Sequence, residues 1–408
     1  MRSKLHYAFY LIWLLLSPQA HSLPPLQIFV DVTPANGTLR PPPGTYAGPV
    51  VINKPITLEG SERVTIDGGG QGTVLHIKAN GTVVRGLHLT NSGDSHNGPD
   101  AGLLLEADDT LIENNRIDNS LFGIHIKQAN NNTIRENSIS SKDNELSLRG
   151  DGIRMWYSRG NLIENNHFTQ IRDLLITNSP DNRIIGNQIS NSRMGMELVF
   201  SPDNKIISNQ ISQNSSGIAI IYSHGLLLRG NRIYQLRNIT GSAISIKDSS
   251  QVAVKQNQII HCATGLIANA PVHPENIIFL NDNLFAYNDI AMYFYGEKGG
   301  HLLHNNKFVS NNVEVLVSSD TSALNNDWRG NYWDRYEGFD RNGDGIGDTP
   351  HSIMLYSDRI WMDRPMTRFF RSSPALELVD FVERLAPFSK PRLVLSDPSP
   401  RVADTLKK

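Results

Sequence analysis

Cysteine is almost absent from this chain of 408 residues, which contains only Cys262. No internal disulfide can therefore form, and the fold must be stabilised by packing and backbone hydrogen bonds. Cys262 lies in the apolar stretch IIHCATGLI, where a small buried side chain is the expected role. A repetitive architecture meets these requirements well.

An excess of charge of either sign is also missing. The chain has 38 basic and 40 acidic residues and a formal net charge of −2. This balance gives no electrostatic basis for binding nucleic acid or an anionic membrane. After residue 22 no apolar run is long enough to form a transmembrane helix.

The first 22 residues predict a signal peptide. Arg2 and Lys4 precede the apolar segment LHYAFYLIWLLL, and Ala20 and Ser22 are small residues placed for cleavage before Leu23. We therefore expect an exported, soluble mature protein. The alternative is an uncleaved membrane anchor.

Familiar catalytic patterns are lacking as well. The sequence contains no Ser-His-Asp signature, no phosphate-binding glycine loop and no histidine spacing typical of zinc sites. Asp108 and Asp109 form the one adjacent carboxylate pair considered for polysaccharide hydrolysis, but the setting EADDT favours a solvated turn. We therefore predict that the protein is not an enzyme.

The dominant feature that is present is a repeat. The motif Asn-x-(Ile/Phe) occurs nine times between Ile117 and Phe308, which is 191 residues over eight intervals, or close to 24 per interval. Each copy lies in a short alternating apolar run bounded by Asn, Ser or Gly, which indicates strands. Units of this length predict an all-β, right-handed parallel β-helix. The recurring Asn is expected at left-handed turns and in a hydrogen-bonded ladder.

A second strand follows each motif and often opens with Gly, as in GIHI, GIRM and GIAI. Alignment on that small residue predicts one inward stack and one outward row. The stack comprises Ile124, Ile153, Met196, Ile218, Ile244 and Met292. The row comprises His125, Arg154, Glu197, Ala219, Ser245 and Tyr293. Such a row on consecutive rungs offers a flat face for ligands or partners.

These patterns divide the chain into three parts. Residues 1–22 are the signal peptide, and residues 23–356 are the β-helix with a capping loop at 330–353. Residues 357–408 are a C-terminal helix, expected at 373–388, and an extended tail. This last part either caps the solenoid or docks on a partner.

The capping loop contains a calcium-like pattern. Asp340, Asn342, Asp344 and Asp348 occupy positions 1, 3, 5 and 9 of an EF-hand-like loop, and Gly345 occupies position 6. His351 stands where a bidentate Glu would complete such a loop. A structural calcium-like ion and a hydrogen-bonded Asp turn both remain possible at this point.

Soft-metal ligands are a separate possibility. Met194 and Met196 form the pair MGM, and Met362 and Met366 form MDRPM. Together with His351 they are candidate copper(I) ligands, because thioethers and imidazoles suit that ion. A core position is the simpler interpretation for Met196.

GNYWDRY…DRNGDGIGDTPHSI, DRIWMDRPM and SPALELVDFVERLAPFSKPRLVLSDPSP, together with the signal peptide and the repeat, resemble the NosD-type periplasmic proteins of nitrous oxide reductase maturation. The resemblance covers nearly the whole mature chain, and its C-terminal part is the most discriminating. It implies a non-enzymatic accessory protein that handles copper(I) while the copper-sulfide centre of nitrous oxide reductase is assembled.

The same resemblance implies a location and partners. The protein would lie in the periplasm, associated with the inner membrane through an ABC transporter made of a permease and an ATPase. A lipoprotein chaperone would supply copper, and nitrous oxide reductase would receive it. Two other functions stay open: a polysaccharide lyase or hydrolase, and a structural or adhesive solenoid.

Overall fold

The computed structural model describes residues 23–269, 277–295, 299–318, 322–355, 378, 381–382 and 392–402. These residues contain one helix assigned in full, α1 (Gln27–Val32), and 38 short strands, β1 to β38 in chain order. Nearly all the strands pair in parallel with the preceding and following turns of a solenoid. The predicted parallel β-helix is confirmed.

One sheet has twelve strands, one from each turn. Its strands are β3 (Val50–Ile52), β5 (Leu75–Ile77), β7 (Ala101–Leu105), β10 (Phe122–Lys127), β13 (Ile153–Trp156), β16 (Leu174–Thr177), β19 (Met194–Val199), β22 (Ser216–Ile221), β25 (Ile244–Lys247), β28 (Thr264–Asn269), β31 (Ile290–Tyr295) and β34 (Val313–Val317).

The other parallel sheet has 24 strands, because most turns contribute two to it. They are β1 (Thr38–Leu39), β2 (Gly44–Ala47), β4 (Thr57–Asp67), β6 (Val83–Thr90), β8 (Leu111–Glu113), β9 (Arg116–Ser120), β11 (Thr133–Arg135), β12 (Ser138–Ser141), β14 (Leu162–Glu164), β15 (His167–Thr169), β17 (Arg183–Ile185), β18 (Gln188–Ser190), β20 (Lys205–Ile207), β21 (Gln210–Ser212), β23 (Leu227–Arg229), β24 (Arg232–Tyr234), β26 (Val252–Lys255), β27 (Gln258–Ile260), β29 (Ile278–Asn281), β30 (Leu284–Ala286), β32 (Leu302–His304), β33 (Lys307–Val309), β35 (Asp327–Arg329) and β36 (Tyr332–Trp333).

The apolar core lies between these sheets, since alternate residues of every strand point inward. The predicted inward stack exists: Ile124 pairs with Ile153, and Met196 pairs with Ile218. The alignment on the small residue left out two turns that also belong to this stack. These turns contribute Leu174 and Leu266. Short strands form here because each apolar triplet is followed by a residue in the left-handed conformation, which turns the chain.

The recurring Asn forms the predicted ladder. Each Asn accepts, through its side-chain oxygen, hydrogen bonds from the backbone N–H and side-chain amide of the Asn one turn before it, as Asn231 does from Asn209 at 2.9 and 3.0 Å. Ten buried residues form this column: Asn115, Asn137, Asn166, Asn187, Asn209, Asn231, Asn257, Asn283, Asn306 and Asn331.

The predicted left-handed conformation belongs to a different residue. It occurs at the position just before each ladder Asn, for example at Asn165 (φ 54°) and Asn305 (φ 58°). The ladder Asn itself is not among the residues of positive φ. The residue before the motif turns the chain, and the motif Asn satisfies the buried backbone that the turn exposes.

Both ends of the solenoid are covered. At the first turns, the side chain of Gln27 on α1 hydrogen-bonds both backbone groups of Val51, at 2.7 and 3.1 Å. At the last turn, β37 (His351–Leu355) and β38 (Arg392–Asp397) form an antiparallel pair. Asp397 is fully buried and its carboxylate accepts hydrogen bonds from Asn331 and from the Trp333 indole, so it terminates the Asn ladder.

Candidate functional site

The pair β37 and β38 positions His351 against the last turn. His351 lies opposite Asp397 in the register of the pair. Its ring stacks on Trp333, with ring centroids 4.8 Å apart, and meets the edge of Tyr336 at 6.0 Å. The imidazole is therefore held in one orientation with 9 % of the residue exposed.

Glu314 faces His351 from β34. The Nε2 atom of His351 lies 3.7 Å from Oε2 of Glu314, which is 7 % exposed. Within the part of the chain that the structure describes, neither Nε2 of His351 nor Oε1 of Glu314 has a hydrogen-bond partner. A buried histidine and a buried carboxylate with free atoms are costly to fold unless something binds them.

The position of Glu314 explains why this pair occurs at the end of the solenoid. The same column holds Gly217, Gly265 and Ala291 in earlier turns, and a Cβ on Gly217 would lie 2.1 Å from the carbonyl oxygen of Ala243 in the following turn. A large side chain is excluded where another strand follows so closely. Since β34 is the last strand of its sheet, Glu314 has room there.

The chemistry of the pair suits a metal only in part. Imidazole binds copper(I) well, whereas a carboxylate prefers harder ions. Within the described residues no group of three or more His, Cys, Asp or Glu side chains converges on one point. His351 and Glu314 therefore supply two ligand atoms, and a copper(I) site would need a further soft ligand.

The structure separates Met194 from Met196. Met196 is fully buried in the main apolar core, which agrees with the core alternative stated for it. Met194 opens β19, is partly exposed and does not belong to that core. Both lie on β19, far along the chain from His351 on β37.

Met362 and Met366 lie outside the described residues, as does most of the helix predicted at 373–388. Of that helix the structure describes Leu378, Phe381 and Val382, which are helical. Their side chains are exposed by 61, 58 and 40 %. They stand at positions i, i+3 and i+4, so one apolar stripe is presented outward.

The Asp340 loop closes through its own hydrogen bonds. Asp340 accepts from the N–H groups of Gly343 and Gly345, at 2.7 and 2.8 Å. Asp344 accepts from Ile346 at 2.8 Å, and Asp348 accepts from Arg341 at 2.7 Å. The hydrogen-bonded turn named as the alternative is thus present, and a bound calcium ion stays a prediction.

Asp108 and Asp109 behave as turn residues. Asp108 accepts hydrogen bonds from the backbone and side chain of Asn130, and Asp109 takes a φ of 54°. The carboxylate of Asp108 is thus used in the turn, and Asp109 is an exposed residue at the turn itself.

A charged cluster on the twelve-stranded sheet was not predicted from the sequence. The buried carboxylate of Asp151 receives two hydrogen bonds from Arg172, at 2.9 and 3.0 Å. The buried Asp173 is bound in the same way by Arg193. The partners in each pair come from successive turns and are 20 or 21 residues apart in sequence, so no local motif reveals them.

The cluster perturbs the ionisation of its members. Burial raises the pKa of Asp151 to about 6, although the charges of Arg172 and Arg154 act in the opposite direction. Burial, with the charges of Arg154 and Lys127, lowers the pKa of His125 to about 4. Burial also raises the pKa of Glu197. His125 is therefore neutral near pH 7, and its Nδ1 atom is buried without a partner.

Comparison with known proteins relates this architecture to a family. The family model described as "Periplasmic copper-binding protein (NosD)" matches residues 139–338. A "Probable ABC transporter binding protein NosD" from Pseudomonas aeruginosa is 29% identical over 359 residues, which is 84% of this chain and 83% of that protein. A protein of the same description from Stutzerimonas stutzeri is 29% identical over 86% of this chain and 84% of its own. The chain is thus similar to NosD-type proteins over most of its length.

The fold of this chain also matches a general model. The model described as "Right handed beta helix region" covers residues 73–197, in agreement with the predicted handedness. Among solved structures, the catalytic domain of a GH87 α-1,3-glucanase in complex with nigerose has a TM-score of 0.50 at 12% identity, covering 72% of this chain and 65% of its own. That likeness shows the fold alone.

The family model is described as periplasmic and copper-binding, and the relatives are named as ABC transporter binding proteins. In the part of the chain that the structure describes, no helix is long and apolar enough to cross a membrane.

Proposed function

We propose that this protein handles copper(I) in the periplasm, next to an ABC transporter, while the copper-sulfide centre of nitrous oxide reductase is assembled. Its partners are the transporter permease with its ATPase, a lipoprotein that supplies copper, and nitrous oxide reductase. The protein reaches the inner membrane through the transporter and catalyses no reaction of its own.

The single observation that carries the proposal is the match of residues 139–338 to a family described as periplasmic and copper-binding. The name of the relatives, which refers to ABC transporter binding, supports the transporter as a partner. The rigid solenoid and the exposed stripe of Leu378, Phe381 and Val382 supply surfaces on which partners can assemble.

For the copper site we propose His351 together with Met362 and Met366. His351 has a buried ring nitrogen without a hydrogen-bond partner, and the two methionines are the thioethers nearest to it in sequence beyond the exposed Met354. An imidazole and one or two thioethers form a donor set that favours copper(I) over harder ions. Met194 is a second candidate, whereas Met196 is committed to the core.

Anaerobic titration with copper(I) against a competing chelator tests this site. We expect stoichiometric binding by the mature protein. The variant His351→Phe should lose at least about tenfold in affinity, equivalent to roughly 1.4 kcal/mol, because an imidazole ligand is removed while the stack on Trp333 is kept. Met362→Leu/Met366→Leu should lose as much.

The matched control is Met194→Leu/Met196→Leu, which preserves the apolar volume of β19. Unchanged affinity in that variant places the site at the C-terminal closure. Loss of affinity only in that variant would move the site to β19. If the wild-type protein binds no copper(I), the carrier role is wrong, and a structural or adhesive solenoid would become the better description.

The cluster around Asp151 and Asp173 is the group of carboxylates that bears on the polysaccharide-cleaving alternative. Both carboxylates are bound by arginines and fully buried, so neither is free to act as a general acid or base on a substrate. Release of new reducing ends from uronate or glucan polymers would establish that alternative.

A further inference from the structure

An exposed aromatic row follows the edge of the twelve-stranded sheet. After six successive strands of this sheet, β10 to β25, the chain turns through one residue with φ between 46° and 50°: Gln128, Tyr157, Asn178, Phe200, Tyr222 and Asp248. Asn and Asp take this left-handed conformation readily, whereas bulky side chains rarely do. Three of the six positions nevertheless carry an aromatic ring.

Neither the turn nor the core accounts for those rings. Tyr157, Phe200 and Tyr222 are exposed by 53, 53 and 44 %. An unfavourable backbone conformation combined with an exposed ring suggests a surface function. Phe200 and Tyr222 stack in parallel, with centroids 5.1 Å apart and an interplanar angle of 6°. Trp156, exposed by 40 %, packs edge to face on Tyr157 at 4.7 Å.

The aromatic row borders two outward columns of the same strands. The nearer column contains Trp156, Thr177, Val199 and Ile221. The farther column contains His125, Arg154, Leu175, Glu197 and Ala219. The three columns form one continuous strip, which we call the aromatic strip. It spans five turns, or about 19 Å at the usual spacing of neighbouring strands.

Two polar groups in the strip keep unused hydrogen-bonding capacity among the described residues. Arg154 is 28% exposed in its side chain, lies over the ring of Phe122 at 4.4 Å and forms an ion pair with Asp151 through its Nε atom at 3.3 Å. In the preceding turn, Nδ1 of His125 is buried and has no hydrogen-bond partner within the described part of the chain. Phe122 and Asp151 thus hold the Arg154 guanidinium in position, with part of it exposed to a ligand.

The strip has the features of a surface for a sugar polymer. Flat exposed rings bind the apolar faces of pyranose rings, and fixed arginine and carboxylate groups bind hydroxyl and carboxylate groups at their edges. The length of one sugar in an extended 1,4-linked pyranose chain is close to the spacing between neighbouring turns of this solenoid. Successive sugars therefore meet equivalent positions on successive turns. A peptide strand, at about 3.3 Å per residue, does not keep that register.

We propose that the aromatic strip binds an extended 1,4-linked glycan that carries carboxylate groups, with one sugar on Trp156, another on the exposed side of the Phe200–Tyr222 stack and a carboxylate at Arg154. The glycan is bound and not cleaved. This role is independent of copper handling.

The test is titration of the full-length mature protein with a 1,4-linked oligouronate, followed by tryptophan fluorescence and calorimetry. A neutral 1,4-linked oligoglucoside of the same length is the second probe. We expect the oligouronate to bind, and the neutral chain to bind about tenfold more weakly because it lacks the partner for Arg154. Equal binding of the two would overturn the role of Arg154.

The variant Phe200→Asn/Tyr222→Asn separates binding from folding. Asn suits the left-handed conformation, so the variant should unfold at the same temperature as the wild type or higher. Its affinity for the oligouronate should fall about tenfold or more. A lower unfolding temperature with unchanged affinity would show that the rings only stabilise the fold, and the proposal would be wrong.

Tyr287→Asn is the matched control. Tyr287 has a φ of 57°, is 52% exposed and stacks on His261, but it lies at a different corner of the solenoid. Its replacement should leave affinity for the oligouronate unchanged. If it lowers affinity as much as the double variant does, or if neither oligosaccharide binds the wild type, the aromatic strip is not a glycan site.

Discussion

Buried polar groups in the Asn ladder, in the middle of the solenoid, differ in their hydrogen bonding from those at its C-terminal end. Around Asn209 each buried donor and acceptor meets its counterpart one turn away, and every turn repeats the arrangement. At the end of the solenoid, His351 and Glu314 face each other at 3.7 Å with unpartnered atoms. Among the described residues, four of the six buried side-chain atoms without a hydrogen-bond partner belong to residues 304–351 near the end of the solenoid, and the other two belong to Arg85 and His125. A repeat satisfies most polar groups by periodicity, and more are left over where the periodicity stops.

The difference indicates where a function can be added without disturbing the fold. A change inside the ladder affects two neighbouring turns at once. A change at the last turn affects the face of β34 that has no further strand of its sheet next to it, so no neighbouring turn is disturbed. Function is therefore expected at the ends and on the outer faces, and stability in the interior. Three experiments test this contrast, beginning with the largest expected effect.

Breaking the ladder at its centre should be the most damaging change. Asn209→Ala removes the acceptor for Asn187 and the donors to Ile184 and Asn231. We expect the free energy of unfolding to fall by about 3 kcal/mol, since buried donors and acceptors are left unpaired. Urea denaturation measures the effect.

The control for that variant is Asn191→Ala at an exposed turn. Asn191 has a φ of 53° and makes only one long side-chain hydrogen bond, 3.4 Å to Ser190. We expect a loss of no more than about 1 kcal/mol there, from the left-handed backbone alone. Equal losses in the two variants would mean that the ladder contributes nothing beyond its turns.

The next effect concerns the pair at the end of the solenoid, where we expect the opposite sign. Glu314→Gln removes a buried carboxylate that has no hydrogen-bond partner, so the free energy of unfolding should rise by about 1 kcal/mol. If Glu314→Gln raises the free energy of unfolding, the carboxylate of Glu314 serves binding and not stability. A loss of comparable size would instead make Glu314 a structural partner of His351.

The smallest expected effect appears only as the pH changes. The pKa of His125 lies near 4, below the value of about 6.5 for an unfolded histidine. The folded state therefore favours the neutral form of His125. The contribution of this group to the free energy of unfolding is fully present above pH 6.5 and is lost as the pH falls from 6.5 towards 4. Between pH 7 and 4 the wild type should lose up to about 2 kcal/mol more than His125→Gln does.

Other titrating groups of the cluster remain in both proteins, so their effects cancel in that comparison. Among them is Asp151, whose pKa of about 6 means that its protonation favours the folded state as the pH falls. Parallel pH profiles for the wild type and His125→Gln would show that His125 is not held neutral by its surroundings.

Local patterns predicted the features that repeat. The Asn-x-Ile motif indicated strands, stacking and an Asn ladder, because a strand position and a buried amide have the same neighbours in every turn. The prediction placed the left-handed residue one position too late, since Asn is common both at the turn and in the ladder. Asn165 and Asn166 occupy these two places side by side.

Contacts between turns that do not repeat along the solenoid could not be predicted. Asp151, Arg172 and Arg193 belong to separate turns, and the sequence gives no sign that they share one cluster. His351 was proposed as a ligand for its chemistry alone. Its neighbour Glu314 looked like an ordinary residue of the pattern VEVLV until the end of the sheet was located.

The sequence by itself determined the parallel β-helix, the placement of Asn and Gly where the chain turns between strands, and the resemblance to NosD-type proteins. These follow from short-range periodicity and from motifs within single turns. The tertiary structure decided which polar groups are satisfied and which are left over, because that depends on whether another strand follows. The buried His351–Glu314 pair and the aromatic strip exist only once the turns are stacked.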